Sequence, residues 1–399
     1  MNKLLKRILD DINSDKLGGY WPGFEAVAYA FYDRNNVYLF NHPAYKDKGQ
    51  YHTLEWDNRF RGCTIILFEE HPTAIVDLDY FSDYESLYSV VVHELFHGYQ
   101  YIKGEKRFPN EKLGMTYPVL EENIEIRNQE RMCLYNAVTA VTIEELEHYI
   151  IDFITLREKR ERLLNKYVEY ENLVETIEGP AWYLESKAYA DKSILLYNEI
   201  LEKHYAPVLI DRKISSLDIR KSCMGSGLFI CLILDVLAPD WKNNFFDSEE
   251  SLFGILKQHV AERNNWTEGA ITISQETKDI VDYVIKSRIK PIEEFEKQNG
   301  THLYIEGPIV VTSFDPMNIS YTEKKQLHQT FVGVRINDEE YVIQQPVVTY
   351  PKDGFKYVEK IHLILKDYPI KTDDSLIIEG IGEIKGRVKR EGNKIFLFV

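Results

Sequence analysis

The sequence predicts an α+β protein: a small N-terminal sheet, a long helical stretch, then a small all-β domain. Three observations carry this. Residues 20–80 hold short runs rich in Tyr, Phe, Val and Thr, broken by Asn35-Asn36 and Pro43. Residues 83–290 repeat apolar side chains at helical spacing between capping signals. Past Pro291 and Gly300 the texture changes, and strand-like runs with turns return. A chain of 399 residues has room for two domains. The expected domains are 1–298, sheet-rich over 1–80 and helical over 81–298, and 299–399, a β-sandwich or barrel-like accessory domain.

Residues 1–14 read as an amphipathic surface helix. They lack the unbroken apolar core of a signal peptide. No apolar run reaches the 18 residues a membrane span needs, so a cytoplasmic protein without a membrane partner is expected. Strands are expected at 37–40, 64–68 and 73–78. Ser82-Asp83-Tyr84-Glu85 has the form of a capping box and opens a helix in which Leu87, Val90, Val91 and Leu95 face a core. Glu121-Glu122 leads a helix to about residue 140. Thr142-Ile143-Glu144-Glu145 is a second capping box, opening a helix to about residue 170. Gly225 and Gly227 begin the most apolar helix, at 228–238. In the last 100 residues or so, strands are expected at 303–305, 309–311, 331–334, 341–343, 377–384 and 394–399, with a turn at Pro351-Lys352-Asp353-Gly354. That part has no His/Cys/Asp cluster, which leaves substrate docking, oligomerisation or shielding of a cleft as its roles.

The formal net charge is −16, which argues against nucleic acid or an anionic membrane as partner. The mixed-sign run Arg157-Glu158-Lys159-Arg160-Glu161-Arg162 reads as a salt-bridged helix surface. Cys63, Cys133, Cys223 and Cys231 are scattered without a C-x-x-C pair, as reduced core thiols would be.

The chemistry concentrates in His93-Glu94-Leu95-Phe96-His97. With 11 His and 64 acidic residues, a shuffled chain would show this pattern roughly 0.05 times. On a helix, residues i and i+4 share a face, so two imidazoles can hold one Zn²⁺ per chain. Glu94 is then placed to act as base on a water that the metal activates. A catalytic zinc has three protein ligands and one open position. No His follows His97 until His148, so the third ligand should be a carboxylate from another helix. The candidates are Glu178 and, nearer in sequence, Glu121, Glu122 or Glu125.

The segment Glu178-Gly179-Pro180-Ala181-Trp182-Tyr183-Leu184-Glu185 resembles the glutamate-ligand helix of the gluzincins, the thermolysin-like and aminopeptidase-like zinc peptidases. The resemblance covers about residues 70–240. It implies a zincin-like domain in which His93, His97 and Glu178 bind zinc and Glu94 is the general base. It implies a metallopeptidase acting on a peptide or protein substrate. It also implies that the last strand before the motif helix, at Ala74, Ile75 and Val76, lies along the cleft as an edge for the substrate backbone. Gly179 and Ala181 would let the two helices approach closely. Glu175 and Glu185, one and two turns from Glu178, are candidates to orient a ligand histidine. In such peptidases a donor from a later segment steadies the oxyanion. No Tyr stands at the matching place before Gly227. Arg220, Lys221, Tyr183, Tyr189 and His204 are the substitutes. The rival readings are a zinc-binding, catalytically weak module that binds a peptide or partner, and a deformylase-like amidohydrolase, whose usual Cys ligand motif is not evident.

Overall fold

The computed structural model describes residues 3–12, 14–45, 51–260 and 271–399. The fold is α+β. Two compact units form, one from 1–110 and 121–274, the other from 111–120 and 275–399. The second unit therefore begins with the helix Gln275–Glu296, ahead of the boundary expected at 298/299, and takes in the short helix Glu111–Met115.

In the first unit, strands β1 (Ala28–Tyr32), β2 (Asn36–Phe40), β3 (His52–Glu55), β4 (Thr64–Phe68) and β5 (His71–Asp77) make one sheet in the order β3-β2-β1-β5-β4. β5 runs parallel to β1 and antiparallel to β4. This overturns the edge assigned to Ala74, Ile75 and Val76. Their strand is paired on both sides, and all three are buried. The edges are β3 and β4, because the β4–β5 hairpin folds back outside β5.

The helices depart from the sequence reading at their ends. The motif helix spans Tyr84–Ile102, and its cap is Asp83 rather than Ser82: Ser86 N donates to Asp83 Oδ1 at 2.8 Å. The helix opened by Thr142 stops at Leu164, where Asn165 takes φ 26°, and a new helix runs Lys166–Lys192 with Pro180 inside it. At the N-terminus the helix Lys3–Asp11 occupies the stretch expected, with Leu5 and Ile8 buried, and a second short helix, Ser14–Tyr20, follows it. The run at 157–162 is only partly surface. Arg157 and Arg160 are buried, since buried carboxylates on two other helices receive them. The four cysteines are free; Cys223 and Cys231 are buried, and Cys63 and Cys133 partly so. Among the described residues, no helix is long and apolar enough to cross a membrane.

The second unit holds a nine-stranded sheet and a three-stranded one, whose side chains meet in one core. Its long strand, Thr301–Phe314, merges the two runs expected at 303–305 and 309–311. It turns at Gly307, which has φ 150°. The turn expected at 351–354 is mostly strand. Val347–Asp353 continues through Pro351 with shifts of register there, the bulge that tolerates a residue without an N–H.

Candidate metal centre

Two helices of the first unit build the site. The motif helix is apolar on nearly every side, with Leu87, Tyr88, Val91, Val92, Leu95 and Phe96 all buried. Its position is therefore set by packing all round, as an interior helix requires. A Cβ on Gly98 would come within 2.4 Å of the Val27 side chain, so this face has room only for glycine. The helix Lys166–Lys192 lies against it and carries Glu178 and Glu185. Behind that helix runs a third, Ile219–Leu237. Gly179 and Gly227 make that crossing: a Cβ on either would meet the other's backbone at 2.6 Å. The close approach carries Arg220 to Glu178, joined from Nη2 to Oε1 at 2.7 Å.

His93 Nε2 and His97 Nε2 lie 2.9 Å apart. Glu178 Oε2 lies 3.6 Å from the first and 3.4 Å from the second. Ligand atoms about 2.0–2.1 Å from one tetrahedral centre sit about 3.3–3.4 Å from each other. The three atoms, all within 4.8 Å of one another, thus have the spacing and chemistry of a metal's donor set. Each imidazole presents Nε2 because its Nδ1 is engaged. His97 Nδ1 donates to Gln100 Oε1 at 2.7 Å, and Gln100 Nε2 donates to the Ile177 carbonyl at 2.8 Å. That second bond fixes which end of the amide faces His97. His93 Nδ1 lies 2.9 Å from Glu185 Oε2, an ion-pair distance whose angle falls short of a hydrogen bond.

Charge is concentrated here. Burial works to raise the Glu178 carboxyl, but His97, His93 and Arg220 outweigh it and hold it well below the usual carboxylate range. Burial works to lower His93, and Glu178 and Glu185 override it and push it well up. Glu94 is 7 % exposed; burial raises its carboxyl above the ordinary value, against the pull of the two histidines.

Among the sequence candidates, His93, His97 and Glu178 converge, Glu185 stands behind His93 and Arg220 behind Glu178. Glu175 is elsewhere: it is fully buried and pairs with Arg157 at 2.8 Å, because at one turn from Glu178 it faces the helix Ile143–Leu164. Tyr183 is held by Asp235 and Lys242, each at 2.5 Å. Tyr189 packs against the His204 ring. Glu125 accepts from Ser274. Neither it nor Glu121 or Glu122 joins the metal-competent group. Gln100 was missed; its spacing of three from His97 was the available signal. The chain matches no family model, no curated protein and no solved structure. The buried His93, His97 and Glu178 group could hold a metal ion.

Proposed function

We propose that the first unit is a zinc-dependent peptidase of gluzincin type on a zincin-like fold. The observation that carries this reading is the meeting of His93 Nε2, His97 Nε2 and Glu178 Oε2, with Glu94 buried beside a ligand histidine. Two imidazoles and one carboxylate are a donor set of catalytic zinc, which keeps a fourth position open. When bound, zinc acidifies a water and polarises a carbonyl. His93, His97 and Glu178 hold the ion, and Gln100, Glu185 and Arg220 hold those three in place. Glu94 takes a proton from the attacking water and delivers it to the leaving amine nitrogen. Its raised proton affinity suits a group that must both accept and donate. Among the described residues β4 is the sheet edge beside β5, where an extended peptide can add its backbone.

The test is zinc content and peptide cleavage in three proteins. Wild type should carry about one zinc per chain and cleave peptides. Glu94→Gln should keep zinc and lose cleavage. Glu178→Ala should lose zinc. Undiminished zinc in Glu178→Ala, or cleavage that survives Glu94→Gln, refutes the reading. A second reading, a metal-binding module without turnover, draws on one observation. Tyr183 and Arg220, named as oxyanion donors, are committed to Asp235 and Glu178. A zinc-loaded wild type inert toward peptides would favour it.

A further inference from the structure

The arginines Arg127, Arg131, Arg157 and Arg160 and the glutamates Glu130, Glu171 and Glu175 form a buried group among the helices Glu121–Thr139, Ile143–Leu164 and Lys166–Lys192. Three of the arginines have carboxylate partners. Arg157 takes Glu175 through two bonds, at 2.8 and 2.9 Å. Arg160 meets Glu130 at 2.6 Å and also Glu171. Arg127 meets Glu171 at 2.9 Å. Arg131 differs. It is 2 % exposed, and its guanidinium reaches only neutral acceptors, Ser222 Oγ at 3.4 Å and Asn128 Oδ1. Its Nε has no hydrogen-bond partner, and neither do two other buried groups, Asn128 Nδ2 and Ser215 Oγ. Arg127 ties the group together, donating to the Ser215 carbonyl at 3.0 Å and to Ser222 Oγ at 3.1 Å.

We propose that a small monovalent anion, chloride in ordinary solution, binds beside Arg131, accepting from Arg131 Nε, Asn128 Nδ2 and Ser215 Oγ. A guanidinium does not shed its proton, so burial cannot neutralise it. An uncompensated buried charge is far more costly than a paired one. A water molecule would satisfy donors but leave the charge, and would bring two further donors to a site already rich in them. A halide is an acceptor only, and its single charge matches the single arginine without a carboxylate. This site lies outside the proposed chemistry and stands whether or not the chain is a peptidase.

The test is a thermal melt of the full-length protein in rising sodium chloride against rising sodium gluconate at matched ionic strength. Chloride should raise Tm along a saturating curve, by roughly 3 °C at tenfold excess over its dissociation constant. Gluconate should not. Arg131→Met should abolish the difference; if that variant does not fold, Ser215→Ala should need several-fold more chloride for the same rise. A crystal soaked in sodium bromide should show an anomalous peak in contact with Arg131 Nε. Identical melts of wild type in the two salts, a chloride response that survives Arg131→Met, or no bromide at Arg131 overturns the proposal.

Discussion

Replacing Gln100 by leucine tests the centre at a residue that touches no metal. Gln100 is 2 % exposed and makes two bonds, one to each helix of the site. Its Oε1 accepts from His97 Nδ1 at 2.7 Å, and its Nε2 donates to the Ile177 carbonyl at 2.8 Å. Leucine keeps most of the bulk and loses both bonds. A stranded buried polar group costs roughly 1–3 kcal/mol. His97 is partly exposed and can recruit water, so the metal-free protein should lose about 1–2 kcal/mol, most of it from the Ile177 carbonyl. Freed of its acceptor, His97 no longer has one tautomer and one ring angle. Loss of such a partner weakens metal binding about 10- to 100-fold, or about 1.4–2.8 kcal/mol. Gln100→Glu separates the two effects. It keeps an acceptor for His97 but has no donor for Ile177, so stability should fall while zinc affinity stays near wild type. Chemical denaturation of the zinc-free protein and zinc titration against a competing chelator measure both. Wild-type zinc affinity in Gln100→Leu would refute the orienting role, and unchanged metal-free stability would refute the bridge between the helices.

Other outcomes follow from the same geometry. Gly227→Ala places a Cβ 2.6 Å from Gly179 Cα and 2.7 Å from the Glu175 carbonyl, where only backbone can yield. The helices must part, at a cost of about 1–3 kcal/mol or more, and zinc affinity should fall with denaturation stability because Glu178 and Arg220 sit on the separating pair. Arg157→Leu leaves Glu175 buried without its cation, while Glu130 keeps Arg160, and should cost about 3–5 kcal/mol in a urea melt. In the second unit, burial pushes both His328 and His362 down to about 4, with His302 adding to the effect at His362. The unfolded chain, with histidines near 6.5, binds these protons first. Stability is therefore full above about pH 6.5 and is lost as pH falls toward 4, at up to about 1.4 kcal/mol per unit for each histidine. Amide exchange in Thr301–Phe314 and Tyr357–Leu365 should accelerate over that window; unchanged protection at pH 4.5 would contradict neutral burial.

Local pattern determined much of this protein. The spacing of His93 and His97 needs only a helix to share a face, and the apolar run around them requires that helix to be interior. Glu178 was legible because its neighbours match a ligand helix, but the close approach expected of Gly179 toward the motif helix falls instead against Gly227 of the helix Ile219–Leu237. The α+β order was legible because strand and helix periods differ. Tertiary structure alone decided the rest. Sheet order is not written in a strand, so β5 looked like an edge until β1 and β4 were seen to pair with both its sides. Charged residues announce no depth, so Arg157 and Arg160 read as surface until Glu130, Glu171 and Glu175 on other helices met them. For the same reason the duties of Glu175 and Glu185, nearly three turns apart on one helix, could be separated only in space. One faces an arginine and the other a ligand histidine, because each answers to a different neighbouring helix.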